Sequence, residues 1–86
     1  MGDFRETEAK GKIGKRVCVT VDGAFGRDDI KKGMTGKVIN AEPSHYTRGD
    51  DPSNGVWSVS VEFDDKSIDI VHNIHKWEYE DGLKEI

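Results

Sequence analysis

The run Val56 to Phe63 (VWSVSVEF) constrains this chain more than any other. Trp57, Val59, Val61 and Phe63 fall at every second position, with Ser58, Ser60 and Glu62 between them. Strict alternation of this kind fits a strand with one buried and one solvated face, and does not fit the 3.6-residue period of a helix. Asp64-Asp65-Lys66 then reads as a tight turn. Ser67 to His72 returns as the partner strand, with Ile68 and Ile70 inward, and the alternation sets the register of the hairpin. Lys15 to Val21 (KRVCVTV) repeats the pattern, with Val17, Val19 and Val21 toward a core and Cys18 and Thr20 on the opposite face. Thr35 to Glu42 reads as a further strand. Val38 is its core residue, and Gly36 marks a bend, a bulge or a close approach of backbones.

The segments between these strands carry turn chemistry. Asp22 to Gly33 holds Asp22-Gly23, Phe25-Gly26 and a closing Gly33, and its apolar residues Phe25 and Ile30 are expected to fold back over one end of the sheet. Pro43 to Gly55 is a long polar loop with Pro52 and an Asn54-Gly55 turn pair, and a loop of that length in a small domain points to function or mobility. Asn73 to Lys76 is expected to form one 3₁₀ turn, and Trp77-Glu78-Tyr79 a short closing strand. Residues 1–12 lack strand periodicity and are expected to be a flexible N-terminal arm; a helical turn over Arg5–Lys10 is too short to stand alone. Residues 81–86 are expected to be a frayed C-terminal tail. The predicted architecture is therefore all-β, a small five-stranded barrel over residues 13–80 with long first and second loops and a 3₁₀ turn before the last strand.

Length limits what such a domain can do. At 86 residues it has room for one core and little room for a deep, water-excluded active site. No apolar stretch approaches the ~18–20 residues of a membrane span. The charged segment Met1 to Lys10 lacks the apolar centre of a secretory signal. Cys18 is the single cysteine and has no partner for an internal disulfide, which together with the preceding points predicts a cytoplasmic setting without membrane contact; a monomer is favoured, but an exposed edge strand could pair between chains and the pattern does not decide the oligomeric state. The net charge of −4 is unevenly spread. Residues 1–41 carry nine Lys/Arg and six Asp/Glu, whereas residues 42–86 carry four and eleven. An acidic domain is a poor non-specific ligand for phosphates, so nucleic-acid contact would have to rest on the basic first half.

The order of strands and turns resembles the SH3-like barrel. The first strand, its turn and Gly33-Met34-Thr35-Gly36-Lys37-Val38 resemble the KOW element of ribosomal and transcription-elongation proteins, with Val17, Val19, Gly23, Gly33, Gly36 and Val38 in matching places. Gly26 to Lys32 departs from that element as an insertion, and the acidic balance departs from its usual basic charge. Over residues 13–79 the chain is also similar to small SH3-like accessory subunits of electron-transfer proteins. Gly14–Val19, Gly36–Val38 and Val59–Asp64 carry that likeness, with examples in the small peripheral barrel subunit of photosystem I and the variable chain of ferredoxin–thioredoxin reductase. The first resemblance implies nucleic-acid contact. The second implies a domain that does no chemistry and stabilises or docks a partner.

No residue pattern points to catalysis or to a bound cofactor. His72 and His75 are three apart, with His45 and Cys18 elsewhere, short of the three or four convergent ligands zinc requires, so no metal site is expected. Asp50-Asp51 and Asp64-Asp65 lack the alternating spacing of a calcium loop and sit where Asp serves backbone turns. Arg48-Gly49-Asp50 spells an adhesive tripeptide that chance produces often. Lys15 and Arg16 precede Cys18, yet a small strand residue is the plainer reading than a reactive thiol. Phosphate-cradling glycine motifs are absent. The acidic, aromatic-bearing first loop of proline-rich-peptide binders is also missing, although Trp77 and Tyr79 are aromatic residues suited to a groove. The expectation is thus a non-enzymatic interaction module that docks a protein partner through its loops, with Phe25, Arg27, Tyr46, Arg48 and Trp77 as contact residues. The alternative is a nucleic-acid-binding domain using Lys12, Lys15, Arg16, Lys31, Lys32 and Lys37, with neighbouring Lys10 and Arg27, and aromatic stacking from Phe25, Tyr46, Trp57 or Trp77. A solvated charged face, with Trp57 in the core, is the plainer account of those same residues.

Overall fold

The alternating run forms the strand that organises the molecule. In the computed structural model, which describes residues 4–43 and 56–86, it spans Trp57–Phe63 and is designated β3. The other strands are β1 (Arg16–Val19), β2 (Thr35–Pro43), β4 (Val71–Ile74) and β5 (Leu83–Glu85). They make one five-stranded antiparallel sheet in the order β4-β3-β2-β1-β5. Two short helices, α1 (Glu6–Lys12) and α2 (Lys76–Gly82), and a 3₁₀ turn at Ala24–Gly26 complete the described chain. No helix among the described residues is long and apolar enough to cross a membrane.

Most side chains placed inward by alternation are inward, Ile68 and Ile70 being only half-buried. Val17, Val19, Val38, Trp57, Val59, Val61 and Phe63 are all buried. Gly36 is a point of close backbone approach: a Cβ there would lie 2.7 Å from the Glu62 carbonyl oxygen and 3.0 Å from Phe63 Cα. The irregularity in β2 falls slightly further on, between Val38 and Asn40, and a second one falls between Val59 and Val61 where β3 meets β4. Bulges bend and twist the strands that carry them, which curls a short sheet round its core. β3 departs from the expected solvated face, because Ser58 and Ser60 are buried too. Their hydroxyls are satisfied. Ser58 Oγ donates to the Glu42 carbonyl at 3.5 Å and Ser60 Oγ hydrogen-bonds His72 Nδ1 at 3.0 Å, so neither polar group is orphaned.

Four expectations are corrected. Residues expected as an arm instead contribute Phe4, which bridges to Trp57, and helix α1. Tertiary burial supplies what a seven-residue helix lacks in isolation: Phe4 and Ala9 are fully covered, and the Phe4 ring meets Tyr79 edge-on at 5.6 Å. Glu8 accepts the Arg5 N–H at 3.3 Å, closing the first turn. β1 ends at Val19, leaving Val21 44% exposed, because the chain turns away at Gly23 in the left-handed region. The β3–β4 connection is longer than a tight turn. Asp65 Oδ1 accepts both the N–H and the hydroxyl of Ser67, at 2.9 and 2.7 Å, which holds an Asx turn and delays the return strand to Val71.

The last correction concerns the C-terminal segment. Asn73 belongs to β4, and Trp77-Glu78-Tyr79 lies in α2, in place of the expected 3₁₀ turn and closing strand. The spacing of His75, Tyr79 and Gly82, all buried, is helical, and Glu78 accepts the His75 N–H at 3.1 Å to cap the first turn. The residues expected to fray are β5, paired to β1 through Val19–Leu83, Cys18–Lys84 and Val17–Glu85.

Candidate groove between the first loop and the second helix

The loop at residues 22–33 is built to a fixed shape. Ile30 is fully buried beneath it, Gly23 donates to the Ile30 carbonyl at 2.8 Å, and Asp22 Oδ1 accepts the Lys32 N–H at 2.9 Å. Arg27 closes it from outside with two bonds to Asp29, at 3.1 and 2.8 Å. That contact raises the Arg27 pKa and lowers that of Asp29, the hydrogen bond being the larger cause in each case. Gly23, Phe25 and Gly26 all take positive φ, at 72°, 59° and 71°. For Phe25 this is an uncommon backbone state that the surrounding contacts must hold.

Those contacts come from α2. Gly82 has no side chain, and a Cβ there would meet Ala24 Cβ at 3.4 Å and the Phe25 ring at 3.6 Å, so the loop and the helix abut at a glycine. Thr20 completes the junction by donating its N–H to the Gly82 carbonyl at 2.9 Å. Beside this seam lies a pocket of about 210 Å³, whose lining includes Val21, Phe25, Trp77, Glu78, Asp81 and Gly82. Its lining is mostly apolar and includes two acidic residues, Glu78 and Asp81. Trp77 is 60% exposed and Val21 44%. A bulky side chain in strained backbone and two exposed apolar ones therefore surround a single depression.

Of the residues expected at a partner surface, the structure brings Phe25 and Trp77 together here. Arg27 stands on the same loop but is engaged by Asp29. Tyr46 and Arg48, with His45, lie outside the described residues. Sequence reasoning does not place Val21, Glu78, Asp81 or Gly82 at this site, because Val21 reads as core and residues 77–82 read as strand and tail. The sequence carries no clear signal for the last three, since the spacing of His75, Tyr79 and Gly82 shows as helical only once their burial is known.

The basic residues are interleaved with carboxylates. Lys12 pairs with Glu85 at 2.6 Å and lies 5.2 Å from the centre of the Tyr79 ring. Arg16 makes two bonds to Asp64, at 2.9 and 2.7 Å, and with the Thr35 hydroxyl it holds the Asp64 carboxyl well below the usual carboxylate range. Lys15 is near enough to Glu85, and Lys31 to Asp29, to help lower those carboxyl pKa values. Lys37 stands opposite both Arg16 and Glu62 across the sheet, and Lys32 is on the loop bonded to Asp22. His72 is exposed with its ring at Ser60, whereas His75 is buried at the start of α2. Cys18 is half-buried, with its thiol 3.6 Å from the Val19 carbonyl. Among the described residues no three His, Cys, Asp or Glu side chains are grouped to hold a metal ion.

No family model, curated protein or solved structure matches this chain.

Proposed function

We propose that this chain is a non-enzymatic interaction domain that docks a protein partner at the groove between the residue 22–33 loop and α2. The observation carrying this reading is the convergence of Val21, Phe25 and Trp77 around one pocket, with Trp77 largely exposed. Exposed aromatic side chains beside a depression are the usual anchors of protein interfaces, since they bury large area at little entropic cost. The SH3-like barrel is the fold reading that accompanies it. In its support, the fifth strand returns beside the first, and β2 and β3 carry register irregularities of the kind that bend strands. The nucleic-acid alternative has less support, because Lys12 and Arg16 are already held by Glu85 and Asp64.

The test uses a photo-crosslinking phenylalanine derivative placed at position 77 of the full chain, with the same group at exposed position 66 as control. The expected result is a discrete protein adduct from position 77 alone. The identified protein, once purified, should bind the native chain and lose affinity about tenfold or more against Trp77→Ala, the scale of an aromatic anchor. Identical adducts from both positions, or a partner indifferent to Trp77→Ala, would refute the docking surface.

A further inference from the structure

The groove has features that define the chemistry of what it holds. Its volume of about 210 Å³ falls below the roughly 300–1,000 Å³ of sites that enclose small molecules. That is space for one large side chain presented by a longer segment. Val21, Phe25 and Trp77 make the walls apolar, which selects an aromatic or long aliphatic anchor.

Charge is the second feature. Glu78 and Asp81 lie three residues apart on α2, hence on one face of the helix in the lining of the pocket. Elsewhere Glu6, Glu8, Asp29, Glu62, Asp64 and Glu85 each pair with a Lys or Arg of the chain, whereas Asp28 and Asp69, away from the pocket, form no such pair among the described residues. Glu78 and Asp81 have no such ion pair among the described residues; Glu78 accepts only the His75 N–H. No Lys or Arg lines the pocket. Two unneutralised carboxylates beside an apolar depression favour a cationic partner and repel phosphates. The exposed Trp77 ring offers the same partner a face for cation–π contact.

Resting on the docking reading above, we infer that the groove recognises a segment of a protein partner in which one large apolar side chain is flanked by Lys or Arg. The apolar residue enters between Phe25 and Trp77. The flanking cations meet Glu78 and Asp81.

The probes are three synthetic decapeptides with a central Leu-Phe pair flanked on each side by two Lys, two Gln or two Glu. Binding is followed by amide chemical shifts of residues 21–26 and 77–82 in the full chain at low salt. The Lys-flanked peptide should bind about fivefold more tightly than the Gln-flanked one, as expected for two exposed ion pairs, and the Glu-flanked peptide should be weakest. The double variant Glu78→Gln, Asp81→Asn should bring the ratio of Lys-flanked to Gln-flanked affinity to about one, the readout being that ratio; glutamine keeps the acceptor that caps α2. Equal binding of the Lys- and Gln-flanked peptides, lost in Trp77→Ala, would overturn the charge assignment and leave the docking surface standing. Self-association that depends on Trp77 would give the groove to a second copy and overturn the peptide assignment. Absence of shifts at these amides with every peptide, up to millimolar concentration, would overturn both readings.

Discussion

Gly36 and Trp77 are opposite cases of a residue's cost. The Cβ of Gly36→Ala would sit against the backbone of Glu62 and Phe63, neither of which can swing aside. Overpacking of this kind costs about 1–3 kcal/mol, and the change should appear as a lowered urea midpoint with an unaltered slope. Trp77 is exposed on a helix, and alanine is the better helix former. Trp77→Ala should therefore move stability by no more than about 0.5 kcal/mol in the same assay, although it removes the largest wall of the groove. The closeness at Gly36 is legible in the sequence, since a glycine inside an alternating strand marks a position where a neighbouring backbone leaves no room for a side chain. The setting of Phe25 is not legible. A positive φ at a bulky residue is imposed by the loop closing on Ile30 and by the ring resting on Gly82, and both contacts are made through tertiary structure.

At the scale of elements, α1 is a structural component and not an appendage. Phe4 bridges to Trp57 through its backbone and packs its ring edge-on against Tyr79, and Lys10 lies over the Trp57 ring at 5.3 Å. Phe4→Ala is expected to cost about 3–5 kcal/mol, as for other buried aromatic truncations, and most of a marginal stability with it. Calorimetric unfolding of the variant against the native chain measures this directly. Charge neutralisation by Glu8→Gln, at the exposed pair with Lys76, should be far milder. β1, β2 and β3 are visible in the sequence because a half-buried strand imprints a period of two on it. α1 and α2 are not visible in that way. Each is a short helix stabilised by what it packs against, and its apolar positions are too few to show a helical period. β4 starts late for a local reason, the Asp65–Ser67 turn, which uses residues that also read as strand.

Across the whole molecule, charge pairing predicts how stability responds to pH. Glu8, Asp29, Asp64, Asp65 and Glu85 all titrate below their ordinary values of 3.8 to 4.5, through hydrogen bonds to Lys76, Arg27, Arg16, Ser67 and Lys12 respectively. A depressed folded-state pKa means stability that is present above the unfolded value and lost as pH falls through the folded one. Tyr79 goes the other way. Burial, then its hydrogen bond to Glu85, raises its phenol above 10.0, and Lys76 is raised above 10.5 by Glu8. Those contributions are present below the unfolded values and are lost as pH rises beyond them. The urea midpoint should be flat near neutrality, fall below about pH 4 and fall again above about pH 10. Tyr79→Phe should shrink the alkaline decline, and should trim the acid one slightly, because the same hydroxyl helps to lower the Glu85 carboxyl. The net charge of −4 gives no hint of this, because three of the five pairs, Glu8–Lys76, Arg16–Asp64 and Lys12–Glu85, join residues far apart in sequence. The pairing of β1 with β5 is the strand pairing most distant in sequence, the Ile86 N–H reaching the Arg16 carbonyl at 3.0 Å. Closing so long a loop carries a large entropic cost, so this contact is expected to form late in folding, which low φ-values for substitutions in β5 would show. α2 is delivered to the residue 22–33 loop by the same closure, and the groove does not exist before it. A partner that binds there thereby distinguishes finished molecules from those still folding.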